Sequence, residues 1–470
     1  MSSKCSSLLL QEVEMPRMNC FVGLNIFLLI FQFSGFGQGL FENAGAADSS
    51  ANAKPSNSSN FEIYGFVKAG FYGGRSENDD AEMKSEEGQT SIKIEAKKEE
   101  IGKAFADIRL KSGILNNNEM SKLDVREAWV QTSLGAVDFK AGQQIIVWGR
   151  ADGINPTNNI TPINPLVFSS ETDDQHIGNI LVHSSVNWKA FRLEGVWVPI
   201  YRPDALPLES VTLPAGITIN SPDYPDNAAK NGSYALRLNL EFPQIDGSLS
   251  YYDGYATLPG FAHALTQTGI MITPTAYRTH VIGGDFATAI GSYGIRGEAA
   301  FKKTYDDYTQ INFLPNPDIE YVIGVDKSIG DFSLLFQYAG EYVVDFTKLN
   351  PPVLSNPNDP QALGIYKQQF ADYNMIKMNR LFLQQGDEIS HSVTARVGWS
   401  LLHETLKLEL AGIYNFTTKE YVARPSLSYD FTDALGICIG GQYLDGPDES
   451  LLAMESNSLS YVFTELKLSF

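Results

Sequence analysis

Basic residues are scarce in this chain. Its 470 residues include 55 Asp and Glu but only 35 Lys and Arg, a formal charge of −20, which excludes the basic face that nucleic-acid binding requires. Long apolar runs are also lacking. Beyond the first forty residues none approaches the roughly 18–20 residues of a spanning helix, and mean hydropathy is −0.15. Cysteine is limited to Cys5, Cys20 and Cys438. With the first two in an expected leader, intramolecular disulfides and metal sites built on paired cysteines are excluded. Catalytic signatures are missing: there is no Gly-x-Ser-x-Gly turn, no Gly-rich phosphate loop ending in Lys-Ser/Thr and no His-Glu-x-x-His pair. His403-Glu404 lacks a second histidine, and nothing in the sequence sets His183, His280 or His391 beside an activated serine such as Ser185. No enzymatic activity, cofactor or metal is expected. The acidic group Glu77, Asp79, Asp80, Glu82, Glu86 and Glu87 lacks the glycine and spacing of a calcium loop. It reads as a solvated tip that divalent cations could bridge to the phosphates of lipopolysaccharide.

What is abundant is aromatic and flexible: 22 Tyr, 27 Phe and 40 Gly, with only 19% charged residues. Aromatics favour the pleat and glycines allow bends, the mixture of long twisted strands. The period confirms it. Tyr234, Leu236, Leu238, Leu240 and Phe242 share one face, and Ala235, Arg237, Asn239 and Glu241 share the other. Leu406, Leu408 and Leu410 oppose Lys407 and Glu409, and Tyr293, Ile295 and Phe301 oppose Arg296, Glu298 and Lys302. A period of two with one apolar and one charged face is a strand between two different solvents.

Three features make the apolar solvent lipid rather than a protein core. The segments run to about 9–15 residues, long enough to cross a bilayer at a tilt. Tight turns, at Gly135-Ala136, Lys189-Ala190, Pro243-Gln244, Gly291-Ser292, Gly330-Asp331, His403-Glu404 and Asp433-Ala434, alternate with long excursions at 73–89, 150–178, 202–233, 257–275 and 345–387. That parity is the arrangement of bacterial barrels, with the long loops outside. The chain also closes on a strand ending Leu466-Lys467-Leu468-Ser469-Phe470, which resembles the C-terminal signal that the barrel-assembly machinery reads. At the other end, the apolar stretch Phe21–Phe33, preceded by Arg17 and followed by Ser34-Gly35-Phe36-Gly37, is expected to be a signal peptide over 1–37. Glu12 and Glu14 fit a leader poorly, which leaves Met1, Met15 and Met18 as alternative starts. Residues 38–60 read as a flexible lead-in, and 61–470 as one outer-membrane barrel.

The expected fold is therefore all-β: a transmembrane antiparallel up-and-down barrel of about 18 strands. Sixteen remains open if the 90–97 and 104–112 pair lies partly outside the membrane. A barrel of this width holds water or a plug. Charge on a lipid face is costly, so Arg192, Arg237, Arg278, Arg296, Glu298 and Arg396 are assigned to the lumen. There they either pair across strands and stiffen the wall, or line a solute path with basic and acidic sides.

The most particular stretch is Arg126-Glu127-Ala128-Trp129, Gly142-Gln143-Gln144 and Trp148-Gly149-Arg150-Ala151-Asp152-Gly153-Ile154-Asn155-Pro156. It resembles an incompletely characterised family of Gram-negative outer-membrane porin-like barrels, in which a strand pair ends in Trp-Gly-(Arg/Lys)-Ala-Asp-Gly and runs into an Asn-Pro segment. The close match covers about forty residues. The resemblance implies a porin-like channel, in some members one suspected of handling lipids or other hydrophobic compounds, and implies no catalytic residues. On their own terms, Trp148 and Arg150 are expected at the outer end of a strand near the interface, with Asp152 in reach of Arg150. The Pro-stiffened loop that follows is either an ordinary surface loop or a constriction folded into the barrel.

Two excursions are unusually apolar for loops in water. One carries Phe261 and runs to Ile272; the other, Tyr366 to Gln385, carries Phe370, Ile376 and Phe382 and is dense enough for a short helix. Either they pack on one another over the mouth, or they offer a greasy route for a hydrophobic substrate. The functional expectation is an outer-membrane channel or transporter for small solutes, leaning to hydrophobic or amphipathic ones. The alternative is a non-transport surface barrel, an adhesin or a structural protein of the outer membrane.

Overall fold

The computed structural model describes residues 61–470 apart from 77–79, 99–100, 116–117, 166, 207–215, 267–268, 448–449 and 455. The expected leader (1–37) and lead-in (38–60) lie outside the described residues.

The chain forms β1 (Phe61–Arg75), β2 (Ala81–Lys98), β3 (Gly102–Leu115), β4 (Asn118–Leu134), β5 (Val137–Gln144), β6 (Asn179–Trp188), β7 (Phe191–Val198), β8 (Ile217–Ile219), β9 (Ser233–Phe242) and β10 (Ile245–Tyr255). It continues with β11 (Gly260–Thr266), β12 (Gly269–Thr275), β13 (Arg278–Ile290), β14 (Tyr293–Thr304), β15 (Asp318–Ile329) and β16 (Phe332–Val343). After the helix α1 (Pro360–Phe382) come β17 (Ile389–Leu401), β18 (Leu406–Asn415), β19 (Tyr421–Asp430), β20 (Leu435–Asp445) and β21 (Tyr461–Ser469). All strands but β8, β11 and β12 form one 18-stranded sheet. Each is antiparallel to its chain neighbour in that sheet, and β21 pairs with β1 from Phe66↔Ser469 to Gly74↔Tyr461, which closes the barrel. Phe470 completes the seam: its N–H donates to the Gly65 carbonyl at 2.9 Å and its carbonyl accepts from the Gly65 N–H at 2.9 Å.

The wall is apolar outside and polar inside. In β9, Tyr234 and Leu236 are 51% and 54% exposed while Arg237 and Asn239 are 9% and 6% exposed. The same inversion runs round the barrel: Leu249, Ile282, Ile323, Leu410 and Val462 face outward, while Ser248, Asp285, Glu298 and Glu465 are buried inside. A sandwich in water would show the reverse, so the outer surface belongs in hydrocarbon. Among the described residues no helix is long and apolar enough to cross a membrane; the strands do the crossing. At the short-turn end the outer surface carries aromatic pairs: Trp188 stacks on Phe191 at 5.8 Å and Phe332 on Trp399 at 5.0 Å. Such rings anchor a barrel at the membrane–water interface. The turns below them need a left-handed backbone, which Gly291 and Gly330 adopt with φ of 63° and 57°.

The tight turns fall where the sequence placed them, and the count is 18 rather than 16 because the 90–97 and 104–112 pair are the cores of β2 and β3. One excursion is corrected. Residues 73–89 are mostly strand, since β1 runs to Arg75 and β2 begins at Ala81. Glu87 therefore faces the lumen, 6% exposed with its carboxylate 3.9 Å from Lys111, and is not part of a solvated tip.

The other excursions build a cap. β8 pairs in parallel with β12, and β12 pairs antiparallel with β11. The helix α1 starts where Asp359, followed by Pro360, accepts the Gln361 N–H at 2.9 Å. It lays Met375, Met378 and Phe382 against Phe261 and Ile272, and Ile413, Val422 and Leu444 of the barrel rim join the same core. Asn379 grips the edge of β11, accepting from the Phe261 N–H at 2.8 Å and donating to its carbonyl at 2.9 Å. The two apolar loops thus pack on one another.

Because the seam is made by the last ten residues, we expect deletion of Phe470, or its replacement by Asp, to lower the amount of barrel assembled at the surface and leave a protease-sensitive species in the periplasm. Unchanged surface abundance, measured by protease shaving and heat-modified gel mobility, would show that the terminal residue carries no assembly signal.

Candidate functional site

The chain leaves the wall at Gln144 and returns at Asn179. Between them the described residues of 145–178 lie inside the barrel, held to it at two places far apart around the wall.

The first anchorage is on β14. The Glu298 carboxylate accepts from the backbone N–H of Arg150 (3.1 Å), Ala151 (3.3 Å) and Thr157 (2.7 Å) and from the Thr157 hydroxyl (2.8 Å). Four donors on one buried carboxylate fix this turn of the loop far more firmly than prolines alone would. Gly149 makes the approach possible. Its φ is 105°, and a Cβ there would sit 2.1 Å from Asn155 Oδ1 and 2.5 Å from Glu298 Oε2. The side chains of the loop then reach different partners. Arg150 Nε meets Asp285 Oδ1 at 2.7 Å, and Asp285 Oδ2 also takes Arg237 at 3.0 Å. Arg296 bridges Asp152 at 3.2 Å and Asp326 at 2.6 Å. The expected local pair of Arg150 with Asp152 is therefore absent, because each finds a wall residue of opposite charge.

Trp148 is a second correction. It is 3% exposed, inside the barrel rather than at the lipid interface, since β5 ends four residues before it. Its ring lies 5.8 Å from the Arg237 guanidinium. It packs with Ile160, Leu181, Val196 and Tyr252 in an apolar patch between loop and wall.

The second anchorage is at the β1–β21 seam and its neighbours. Asp174, in a single 3-10 turn at Thr172–Gln175, meets Arg109 at 2.6 Å, Arg126 at 2.8 Å and Lys68 at 3.4 Å. Burial alone would raise its carboxyl, but Lys68, Arg109 and Arg126 outweigh that and hold it well below the usual carboxylate range. Beside it Ser170 gives its N–H (2.8 Å) and hydroxyl (2.5 Å) to Glu465, and Lys467 pairs with Glu171 at 2.5 Å. Phe168 packs on Tyr72 and, edge to face, on Tyr461. Going round the 18 strands, β14 stands ten from β1 in one direction and eight in the other, so the loop crosses the lumen close to a diameter.

Of the residues assigned to the lumen, the loop gathers Trp148, Arg150, Asp152, Arg237, Arg296 and Glu298. Arg192 pairs with Glu194 at 3.5 Å on β7, one strand from Arg237. Arg278 pairs with Asp253 at 2.7 Å near the mouth. Arg396 stands on the far wall, 3.5 Å from Glu409. Phe261 and Phe382 are core of the cap, and Phe370 and Ile376 on α1 are half-buried. Asp285, Asp174, Lys68 and Arg109 were not singled out from sequence. A charged residue at inward parity in mid-strand was a usable signal for Asp285, Lys68 and Arg109; Asp174, in a loop, offered none.

A third clip ties loop to loop. Asp204, between β7 and β8, accepts from the Ile163 N–H at 2.7 Å and the Thr257 hydroxyl at 3.0 Å. Burial pushes its carboxyl up to about 7. The folded value lies above the unfolded value of about 3.9, so the folded state holds the proton more tightly. Its contribution to holding the loop is full below about pH 4, falls as pH rises towards 7, and is constant above. We expect hydrogen exchange at Ile163, corrected for intrinsic rate, to show more protection at pH 5 than at pH 8. In Asp204→Asn, whose amide oxygen keeps the Ile163 bond and whose NH₂ can donate to the Thr257 hydroxyl, the difference should vanish; its persistence would mean another group titrates.

No protein-family model matches the sequence, and no curated protein matches it. Solved structures do. OccAB2 of Acinetobacter baumannii is similar with a TM-score of 0.50 at 9% identity, over 87% of this chain and 98% of that one. OccAB1 of the same organism gives 0.50 at 10% identity, over 89% and 98%. OccK9 (OpdG) of Pseudomonas aeruginosa gives 0.50 at 8%, over 87% and 97%. At such identities the likeness is one of fold. The chain is a closed, 18-stranded antiparallel β-barrel with an apolar outer surface, and shares its fold with the OccAB and OccK structures.

Proposed function

We propose that this protein sits in the outer membrane and conducts small polar or charged solutes through a lumen constricted by residues 145–178. The observation that supports this reading is the paired charge inside the barrel. Arg150, Arg237 and Asp285 sit at one end of the loop, and Lys68, Arg109, Arg126 and Asp174 at the other. A wall that served only to hold an adhesive surface has no need of charge at the centre, where each ion must be compensated. A water-lined path with opposed charges, by contrast, is how a pore selects small ions and zwitterions.

Reconstitution of the folded chain in planar bilayers tests the reading. Discrete conductance steps in potassium chloride are expected; a barrel that never conducts at any voltage would sink the channel and favour the surface-barrel alternative.

A preference for amphipathic solutes has narrower support. Phe261 and Phe382 are occupied with each other, stacked at 4.6 Å, and offer no free apolar surface. What remains is α1, where Phe370 and Ile376 are half-buried and Ile365 is 53% exposed. Making Phe370 and Ile376 polar should lower uptake of a labelled fatty acid, with ion conductance unchanged, if the helix guides such solutes; equal uptake would leave the polar path alone.

A further inference from the structure

On the loop side of the wall, β14, β15 and β16 end beside one another under the C-terminal end of α1. The register brings Glu320 of β15 directly opposite Glu341 of β16, and Asp318 of β15 opposite Lys302 of β14. Like charges facing each other across a strand pair are destabilising, yet here both carboxylates point inward and one carboxylate oxygen from each of Asp318, Glu320 and Glu341 lies within 4.8 Å of the others. Among the described residues, one cation pairs with the cluster. Lys302 gives its ammonium to Glu320 at 2.6 Å, and Gln385 donates to Asp318 Oδ2 at 3.0 Å. Glu341 receives neither: among the described residues it has no hydrogen bond and no ion pair, although it is 7% exposed. The second oxygen of Asp318 is likewise buried without a partner. A buried carboxylate facing only other carboxylates is costly unless something positive joins it.

We propose that Asp318, Glu320 and Glu341 form a binding site for a divalent cation, Ca²⁺ by its chemistry. Calcium takes six to eight oxygen ligands at about 2.3–2.6 Å in flexible geometry, and oxygens up to 4.8 Å apart can share one such ion. Three carboxylates against one lysine leave the two negative charges a divalent ion neutralises. A cavity of about 230 Å³ beside Asp318 and Glu320, lined also by Lys302, Lys303, Asn316 and Gln385, leaves room for the water ligands that complete the shell. The ion would tie β15 to β16 just below the Asn316–Gln385 contacts, where Gln385 accepts the Asn316 N–H at 2.8 Å and returns a bond to its carbonyl at 2.8 Å. In this way cation binding would steady the cap on the barrel. None of the three carboxylates takes part in the loop anchorages, although Asn158 and Asn159 of the loop line the same cavity, and the proposal does not depend on what the lumen conducts.

Calorimetric titration of CaCl₂ into the full chain, folded in detergent free of lipopolysaccharide and washed with EDTA, tests it. One site is expected, with a Kd on the order of 10⁻⁴–10⁻³ M, the range of extracellular calcium modules, and weaker binding of MgCl₂. Glu341→Gln should weaken the Ca²⁺ affinity at least tenfold while heat-modified gel mobility still reports a closed barrel. Asp318→Asn is the second reading should the first variant fail to assemble. Absence of binding in the wild type, or the same affinity in wild type and variants, overturns the proposal: the first outcome would mean that protons neutralise the cluster, the second that the ion sits elsewhere.

Discussion

Excision of residues 155–170 is expected to raise single-channel conductance severalfold. The deleted stretch holds Thr157, which supplies two of the four donors on Glu298, together with Ile160, Phe168 and the Ser169–Ser170 pair bound at the seam. A wall of 18 strands about 4.8 Å apart and tilted about 40° encloses a cylinder roughly 36 Å across. The eight peptide links left between Arg150 and Asp174 reach at most about 28 Å. The shortened chain must run taut between its anchors or let one of them go, and either outcome leaves less of the lumen filled. The barrel itself should survive, since none of its strands is touched; unchanged heat-modified mobility would confirm that. Identical conductance in the excised protein would place the permeation path somewhere other than past this loop.

That loop also marks where reading the sequence stops being sufficient. The strands were legible because two solvents impose a period of two over long stretches, so that Tyr234–Phe242 or Leu406–Asn415 can be aligned by face alone. Ends of strands were less so. β1 and β2 run past the bilayer into residues such as Gly73, Gly74, Lys84 and Ser85, which have no apolar face because no lipid meets them there. Trp148 showed the opposite failure. An aromatic beside a cation at a strand end suits an interface as well as it suits a packed lumen, and only Glu298, reaching across from β14, decides between them. In the same way Arg150, Asp152, Arg296 and Glu298 could be assigned to the interior by parity, while their pairing could not. Parity gives the face of a strand, not its neighbour 140 residues away in the chain. The helix α1 was legible as a short helix from the apolar density of 366–385; its 23 residues start earlier, at Pro360 after the Asp359 cap.

The other large effect is expected from Asp174→Asn. This carboxylate is the common partner of Lys68, Arg109 and Arg126, with Asp174 and Lys68 side chains each only 3% exposed. Its amide substitute can keep an oxygen at the Oδ1 position shared by Arg109 and Arg126, but then turns an NH₂ group towards Lys68 and the Ser169 hydroxyl, while Asp107 stays at 3.3 Å from Arg109 and Glu465 at 3.6 Å from Lys68. Removing one member of a buried ion network costs about 3–5 kcal/mol. Here the loss falls on the attachment of the loop, because the three cations belong to β1, β3 and β4, whose ladders remain intact. The seam end of the loop should therefore detach, seen as faster hydrogen exchange over residues 168–176, while the Glu298 end stays protected. The lumen, one negative charge poorer beside three cations, should shift towards anions, which a reversal potential under a potassium chloride gradient measures directly. Acid should imitate the substitution. Because the Asp174 carboxyl lies below its unfolded value, its contribution is present above about pH 4 and is lost as pH falls further. The wild type should then loosen at the seam only in strong acid, and the variant already at neutral pH. A variant with wild-type reversal potential and unchanged exchange over 168–176 would mean that Ser170, Glu465 and the aromatic contacts of Phe168 hold the loop without Asp174.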